Sequence, residues 1–106
     1  MGESPLDDIQ VIIDTYADSV ITDTLMIMII SLIFQNNLFA TDLKSLSLTL
    51  YREDKLTFKN KLISSRTVLL SKISLLGEEN KKSKQVYIKL INLLTNILNS
   101  DIFKNI

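Results

Sequence analysis

Cysteine, histidine and tryptophan are all missing from the 106 residues of this chain. Without Cys or His there is no thiolate nucleophile, no imidazole base and no soft metal site. No disulfide can form either, so apolar packing alone must hold the fold. Glycine occurs only as Gly2 and Gly77, which excludes a glycine-rich phosphate loop. The single proline is Pro5, so neither breaker falls between residues 6 and 76. Long hydrophobic runs are also scarce. The longest, Leu25 to Phe34, is ten residues with Ser31 inside it, about half of what a bilayer span needs. The N-terminus has no cationic region of the kind a secretory signal carries. Met1-Gly2 begins like a myristoylation signal, but Leu6 stands where that signal needs Ser or Thr. The expectation is an intracellular protein, cytoplasmic or nuclear, with no signal peptide and no transmembrane helix.

Positive charge is absent from the first part of the chain. Residues 1–43 hold seven acids and no Lys or Arg; residues 44–106 hold all 12 cations against five acids. A formal net charge of zero is therefore −7 joined to +7, with the boundary just before Lys44. Such asymmetry arises when an acidic element docks against basic ones in the same chain, or when the basic half meets an acidic partner such as nucleic acid.

What is present is helical periodicity in a chain that is 46% hydrophobic. Ser4-Pro5-Leu6-Asp7 reads as a helix start, with Ser4 as cap and Pro5 where a missing N–H costs nothing. Leu6, Ile9, Ile13, Tyr16 and Val20 follow at helical spacing, predicting a helix over 5–18. A second helix is expected over 20–36, apolar all round and so enclosed by others, stopping at Asn36-Asn37. Thr41-Asp42 would cap a short third helix carrying Leu43, Leu46 and Leu50. The strict alternation of Ser45 to Tyr51 and of Lys55 to Phe58 instead suggests a β-hairpin near 45–60, an exposed and marginal one. A fourth helix over 55–76 has Phe58, Leu62, Leu69, Ile73 and Leu76 as its apolar stripe, Ser65 as the one gap, and Gly77 as its stop. The last, over 80–103, places Val86, Leu90, Leu93, Leu94, Ile97 and Leu98 on a wide apolar arc. No repeat or linker divides the chain. The fold class is all-α, a single compact bundle of four to five helices over 1–106, with the hairpin as the minor alternative.

Chemistry has few candidates in this inventory. Asp7/Asp8 and Glu78/Glu79 are adjacent on helices and diverge by about 100°, while Asp14 and Asp18 read as a solvated stripe. No metal, cofactor or catalytic residue is expected, and the chain reads as non-enzymatic. Two uncharged polar lines are more informative. Thr57, Asn60, Ser64, Thr67, Ser71 and Ser74 share one side of the fourth helix, and Asn92, Thr95, Asn96 and Asn99 share one side of the last. Solvated helix faces normally intersperse Lys and Glu, whereas protein interfaces are depleted in charge. A compositional bias toward Asn and Ser would produce the same lines. The leading expectation is a protein–protein interaction module, a small subunit of a larger complex or a homodimer, contacting its partner through Thr57, Asn60, Ser64, Thr67, Ser71, Asn92, Asn96 and Asn99. A first alternative is nucleic-acid binding by the basic helix around 52–72, through Arg52, Lys55, Lys59 and Arg66. A second is a small helical immunity or host-factor-binding protein, which matches in size and class only.

Overall fold

The computed structural model describes residues 5–36 and 48–104. The expected cap at Ser4, the stop at Asn37, the helix start at Thr41-Asp42 and the alternation over 45–47 lie outside the described residues. Among the described residues there are five α-helices and no strand: α1 Pro5–Tyr16, α2 Asp23–Asn36, α3 Leu48–Glu53, α4 Lys55–Leu75 and α5 Lys81–Leu98. Single 3-10 turns at Glu78–Asn80 and Asp101–Phe103 precede and follow α5.

Local chemistry explains most boundaries. Pro5 opens α1, as its fixed φ favours. The helix stops at Tyr16, two residues before the expected end, in a turn closed by the Ser19 N–H on the Tyr16 carbonyl at 3.1 Å. The next helix begins at Asp23 rather than Val20 and is capped by Thr22. Its hydroxyl accepts the Leu25 N–H at 3.2 Å and its carbonyl accepts the Met26 N–H at 2.8 Å, which is how an N-cap satisfies free donors. Ile21 and Met26 flank this cap, both in the core, at the positions of a hydrophobic staple. Along α2, Met26, Ile29, Ile30 and Ile33 are fully buried, yet Met28 is 40% exposed. The expected all-round enclosure of α2 is therefore incomplete.

No hairpin forms at residues 48–60. Arg52-Glu53-Asp54 lacks the Gly or Asn that a tight hairpin turn needs for its positive φ. Asp54, three residues before Thr57, instead supplies a helix cap. Its carboxylate accepts the Thr57 N–H at 3.1 Å and the Thr57 hydroxyl at 2.6 Å, and it separates α3 from α4 with a non-helical backbone at φ −147°, ψ 85°. The hydroxyl bond, then the N–H bond, holds the Asp54 carboxyl below its ordinary value of 3.8. At the other end, α4 finishes at Leu75, and both Leu76 (φ −83°) and Gly77 (φ −86°) have negative φ. The left-handed conformation expected of Gly77 is not used.

α5 occupies the middle of the assembly, packed on one side by α4 and on the other by α1; α2 lies against α1, and α3 against α4. Val86, Leu90, Ile91, Leu93, Leu94, Ile97 and Leu98 of α5 are buried, facing Ile9 and Ile13 of α1 and Phe58, Leu62 and Leu69 of α4. After α5 the chain bends back at Ser100, so that Phe103 joins Tyr51 and Phe58 in an aromatic group with centroids 5.1–6.3 Å apart. Edge-to-face pairs of this kind each add about 0.5–1.5 kcal/mol beyond area burial. The Cα radius of gyration is 13.5 Å, close to the roughly 13 Å of a compact chain of about 100 residues.

Ser65 is the exception inside this core. It is 0% exposed, on the α4 face between Leu62 and Leu69, and its hydroxyl has no hydrogen-bond partner. An unpaired buried hydroxyl costs about 1–3 kcal/mol, and alanine also has the higher helix propensity. Ser65→Ala is therefore expected to raise stability by about 1 kcal/mol in urea denaturation. A loss of that size would show that the hydroxyl is bonded.

Candidate interaction face

Successive residues on α4 are turned by about 100°, and this places two different faces on one helix. Phe58, Leu62, Ser65 and Leu69 point into the core. Opposite them lie Leu56, Asn60, Ile63, Thr67, Leu70 and Ser74, repeating at alternate spacings of four and three. Leu56 is 53% exposed, Leu70 is 51% exposed, Asn60, Thr67 and Ser74 are exposed, and Ile63 is half-buried. Ser64 and Ser71 extend this face on one side. An arc of about 140° along the whole helix thus carries no charge.

The expected polar line of α4 sits on this outer face, but several of its hydroxyls serve the helix itself. Thr57 completes the Asp54 cap. The Thr67 hydroxyl donates to the Ile63 carbonyl at 3.1 Å, and the Ser74 hydroxyl donates to the Ser71 carbonyl at 2.7 Å. Asn60, Ser64 and Ser71 are exposed. The polar line of α5 is divided differently. Asn96 donates to the Ala17 carbonyl at 3.2 Å, binding the turn after α1, while Thr95 donates to the Ile91 carbonyl at 2.9 Å. Asn92 and Asn96 line a small open cleft of about 140 Å³ between α1 and α5, with Ile13, Ala17, Asp14 and Lys89. Asn99 sits just past the end of α5, exposed, beside Asn96 and Ser19. The two polar lines do not converge on one site.

The basic residues show an equally internal pattern. Lys55 lies over the Tyr51 ring at 5.0 Å from its centroid, a cation–π contact. Arg66 Nη1 donates to the Thr95 hydroxyl at 3.0 Å and so ties α4 to α5. Lys59 shares their sector and is half-buried, whereas Arg52 is exposed on α3. Such placement at the edge of an apolar stripe is snorkelling. Across the two charge blocks, Lys89 pairs with Asp14 at 3.3 Å. The Gln10 amide, then Lys89, lowers the Asp14 carboxyl below its ordinary value. Both groups are exposed, where ion pairs contribute little.

Leu56, Ile63 and Leu70 were not singled out in the sequence. Their signal was there as a four-three repeat, but the apolar stripe through Phe58 and Leu62 claimed the helix first. Among the described residues no group of three or more carboxylates could hold a metal ion, and no helix is long and apolar enough to cross a membrane. No protein-family model, curated protein or solved structure matches this chain.

One further polar contact links α2 to α3: the Tyr51 hydroxyl donates to an Asp23 carboxylate oxygen in a short hydrogen bond. Burial, then the Asp23 charge, pushes the Tyr51 hydroxyl well above its ordinary value of 10.0. The folded state thus holds this proton more tightly than the unfolded chain does. Its contribution is complete below about pH 10 and is lost as the pH rises beyond it. Tyr51→Phe is expected to flatten the alkaline loss of stability, measured as urea midpoint between about pH 9 and 11. An unchanged slope would contradict the buried, bonded hydroxyl.

Proposed function

We propose that this protein is a non-enzymatic interaction module that binds another protein through the outer face of α4, as a small subunit of a larger complex or as a homodimer. The observation that carries this reading is the charge-free outer face on which Leu56 and Leu70 are exposed and Ile63 is half-buried, set among Asn60, Thr67 and Ser74. A solvated helix face gains nothing from half-exposed leucines, and burying the rest of Leu56 and Leu70 would contribute about 1 kcal/mol each. Fully buried interface centres are depleted in charge in the same way. Absent Cys and His support the non-enzymatic part of the reading, and an intracellular location belongs to it. An immunity or host-factor-binding role would be one form of this binding.

A second reading, nucleic-acid binding, draws on α4 and α5 together, which carry nine cations and no acid. Against it, Lys55 and Arg66 turn onto groups of the chain itself. The aromatics between the cations, Phe58 and Tyr87, pack into or against the core instead of standing out for base stacking.

Affinity purification from the native source, followed by direct binding of the purified partner, tests the first reading. Leu56→Glu with Leu70→Glu is expected to leave the urea midpoint nearly unchanged, since both sites are exposed, and to weaken partner binding by at least about tenfold. Undiminished binding by this variant would remove α4 from the interface. A salt-sensitive shift of an oligonucleotide, abolished by Lys55→Glu with Lys59→Glu, would favour the second reading.

A further inference from the structure

We infer that the occupant of the α4 outer face is an amphipathic helix whose apolar stripe is edged by aspartate and glutamate. The inference rests on the reading of that face as a docking surface, and it names the chemistry of the partner. Shape is the first ground. Leu56 to Ser74 spans about 27 Å along the axis, and the charge-free strip is about one helix diameter wide. Positions alternating by four and three form the seam along which two helices pack at a shallow angle. Here the seam alternates Leu56, Ile63 and Leu70 with the small polar Asn60, Thr67 and Ser74, leaving room for larger apolar side chains from the other helix.

Charge is the second ground. α4 holds five cations and no acid. Lys55, Lys59 and Arg66 run along one flank, where Lys55 lies over Tyr51 and Arg66 is bonded to Thr95, and Lys61 and Lys72 lie beyond the other flank. The nearest acid before the helix, Asp54, is engaged by Thr57 at the cap. Flanking charges set partner choice in paired helices. A second copy of α4 brings no carboxylate to either flank, and in the antiparallel arrangement it sets cation against cation. Acidic residues on the partner helix complement the edge that carries Lys61 and Lys72. The strip is too narrow for the roughly 800 Å² per partner of a standard stable interface, so one docked helix is what it fits.

The probes are synthetic helical peptides of about 20 residues, titrated against the full chain by fluorescence anisotropy. One has leucine at the seam and glutamate at the flanks. The second replaces glutamate by lysine, and the third keeps glutamate but replaces the leucines by serine. The first is expected to bind at least about tenfold more tightly than either other. Its binding is expected to weaken by at least about tenfold with Leu56→Ser/Leu70→Ser and again with Lys61→Glu/Lys72→Glu, the latter with a reduced dependence on salt. Equal binding of the first two peptides would overturn the acidic assignment while leaving α4 as the docking face. Equal binding of the serine peptide would overturn it as bulk charge attraction. Self-association in light scattering, abolished by Leu70→Glu, would overturn it by giving the face to a second copy. No peptide binding would overturn the inference alone, because partner capture by the Leu56→Glu/Leu70→Glu variant judges the docking face independently.

Discussion

Everything in this molecule depends on the burial of α5. With no disulfide available, a chain of this length must exclude water from one contiguous apolar surface or remain unfolded. Seven apolar side chains of α5 form the centre of that surface. The helix is held on both flanks by polar bonds that fix register without adding much energy. Lys89 meets Asp14 and Asn96 meets the Ala17 carbonyl on the α1 side, and Thr95 receives Arg66 on the α4 side. Phe103 then carries the end of the chain onto Tyr51 and Phe58, which locks α3 and the start of α4 against the same core. Once α4 is seated in this way, its rotation about its own axis is set by Phe58, Leu62 and Leu69. The face left outside is a consequence of that seating.

The opposed charge blocks are partly resolved by the same arrangement. The acidic first helix does lie beside the basic last one, and the Lys89–Asp14 pair joins them. Being exposed, this pair steers docking more than it stabilises the docked state. α4 packs against α5 and α3, and its first cation, Lys55, lines an open cleft with Asp23 and Asp101. The charge division thus serves the fold where Lys89 meets Asp14, and it leaves Lys61 and Lys72 beside the uncharged strip of α4.

Much of this was legible in the residues. Helical periodicity located α1, α4 and the start of α5 to within two residues, because each buries an apolar stripe that repeats at the helical period. However, α5 ends at Leu98, five residues before the expected 103, with Asp101–Phe103 as a separate turn. The core positions Ile9, Ile13, Phe58, Leu62, Leu69 and Leu90 follow from the same spacing. The alternating segment before Tyr51 was ambiguous because apolar alternation suits either state over so few residues; the Asp54 cap with Thr57 goes with helices on both sides of Asp54. Site residues were less legible. Small hydroxyls look alike in sequence whether they bond their own helix, as Thr67 does, or face outward, as Ser64 does. Arg66 and Lys55 are likewise ordinary surface cations until tertiary contacts assign them to Thr95 and Tyr51. The exposed leucines were hidden because the stripe through Phe58, Leu62 and Leu69 already accounted for α4, and the sparser line of Leu56, Ile63 and Leu70 is broken by polar residues.

The two-faced character of α4 is the central claim, and adjacent leucines test it directly. Leu69 is 0% exposed and Leu70 is 51% exposed. Urea denaturation of Leu69→Ala and Leu70→Ala compares them with the same chemical change one residue apart. Leu69→Ala is expected to cost about 2–5 kcal/mol, as a core truncation does, and Leu70→Ala to stay within about 0.5 kcal/mol. Comparable losses at both positions would mean that the outer face of α4 is part of the core and is not free to bind anything.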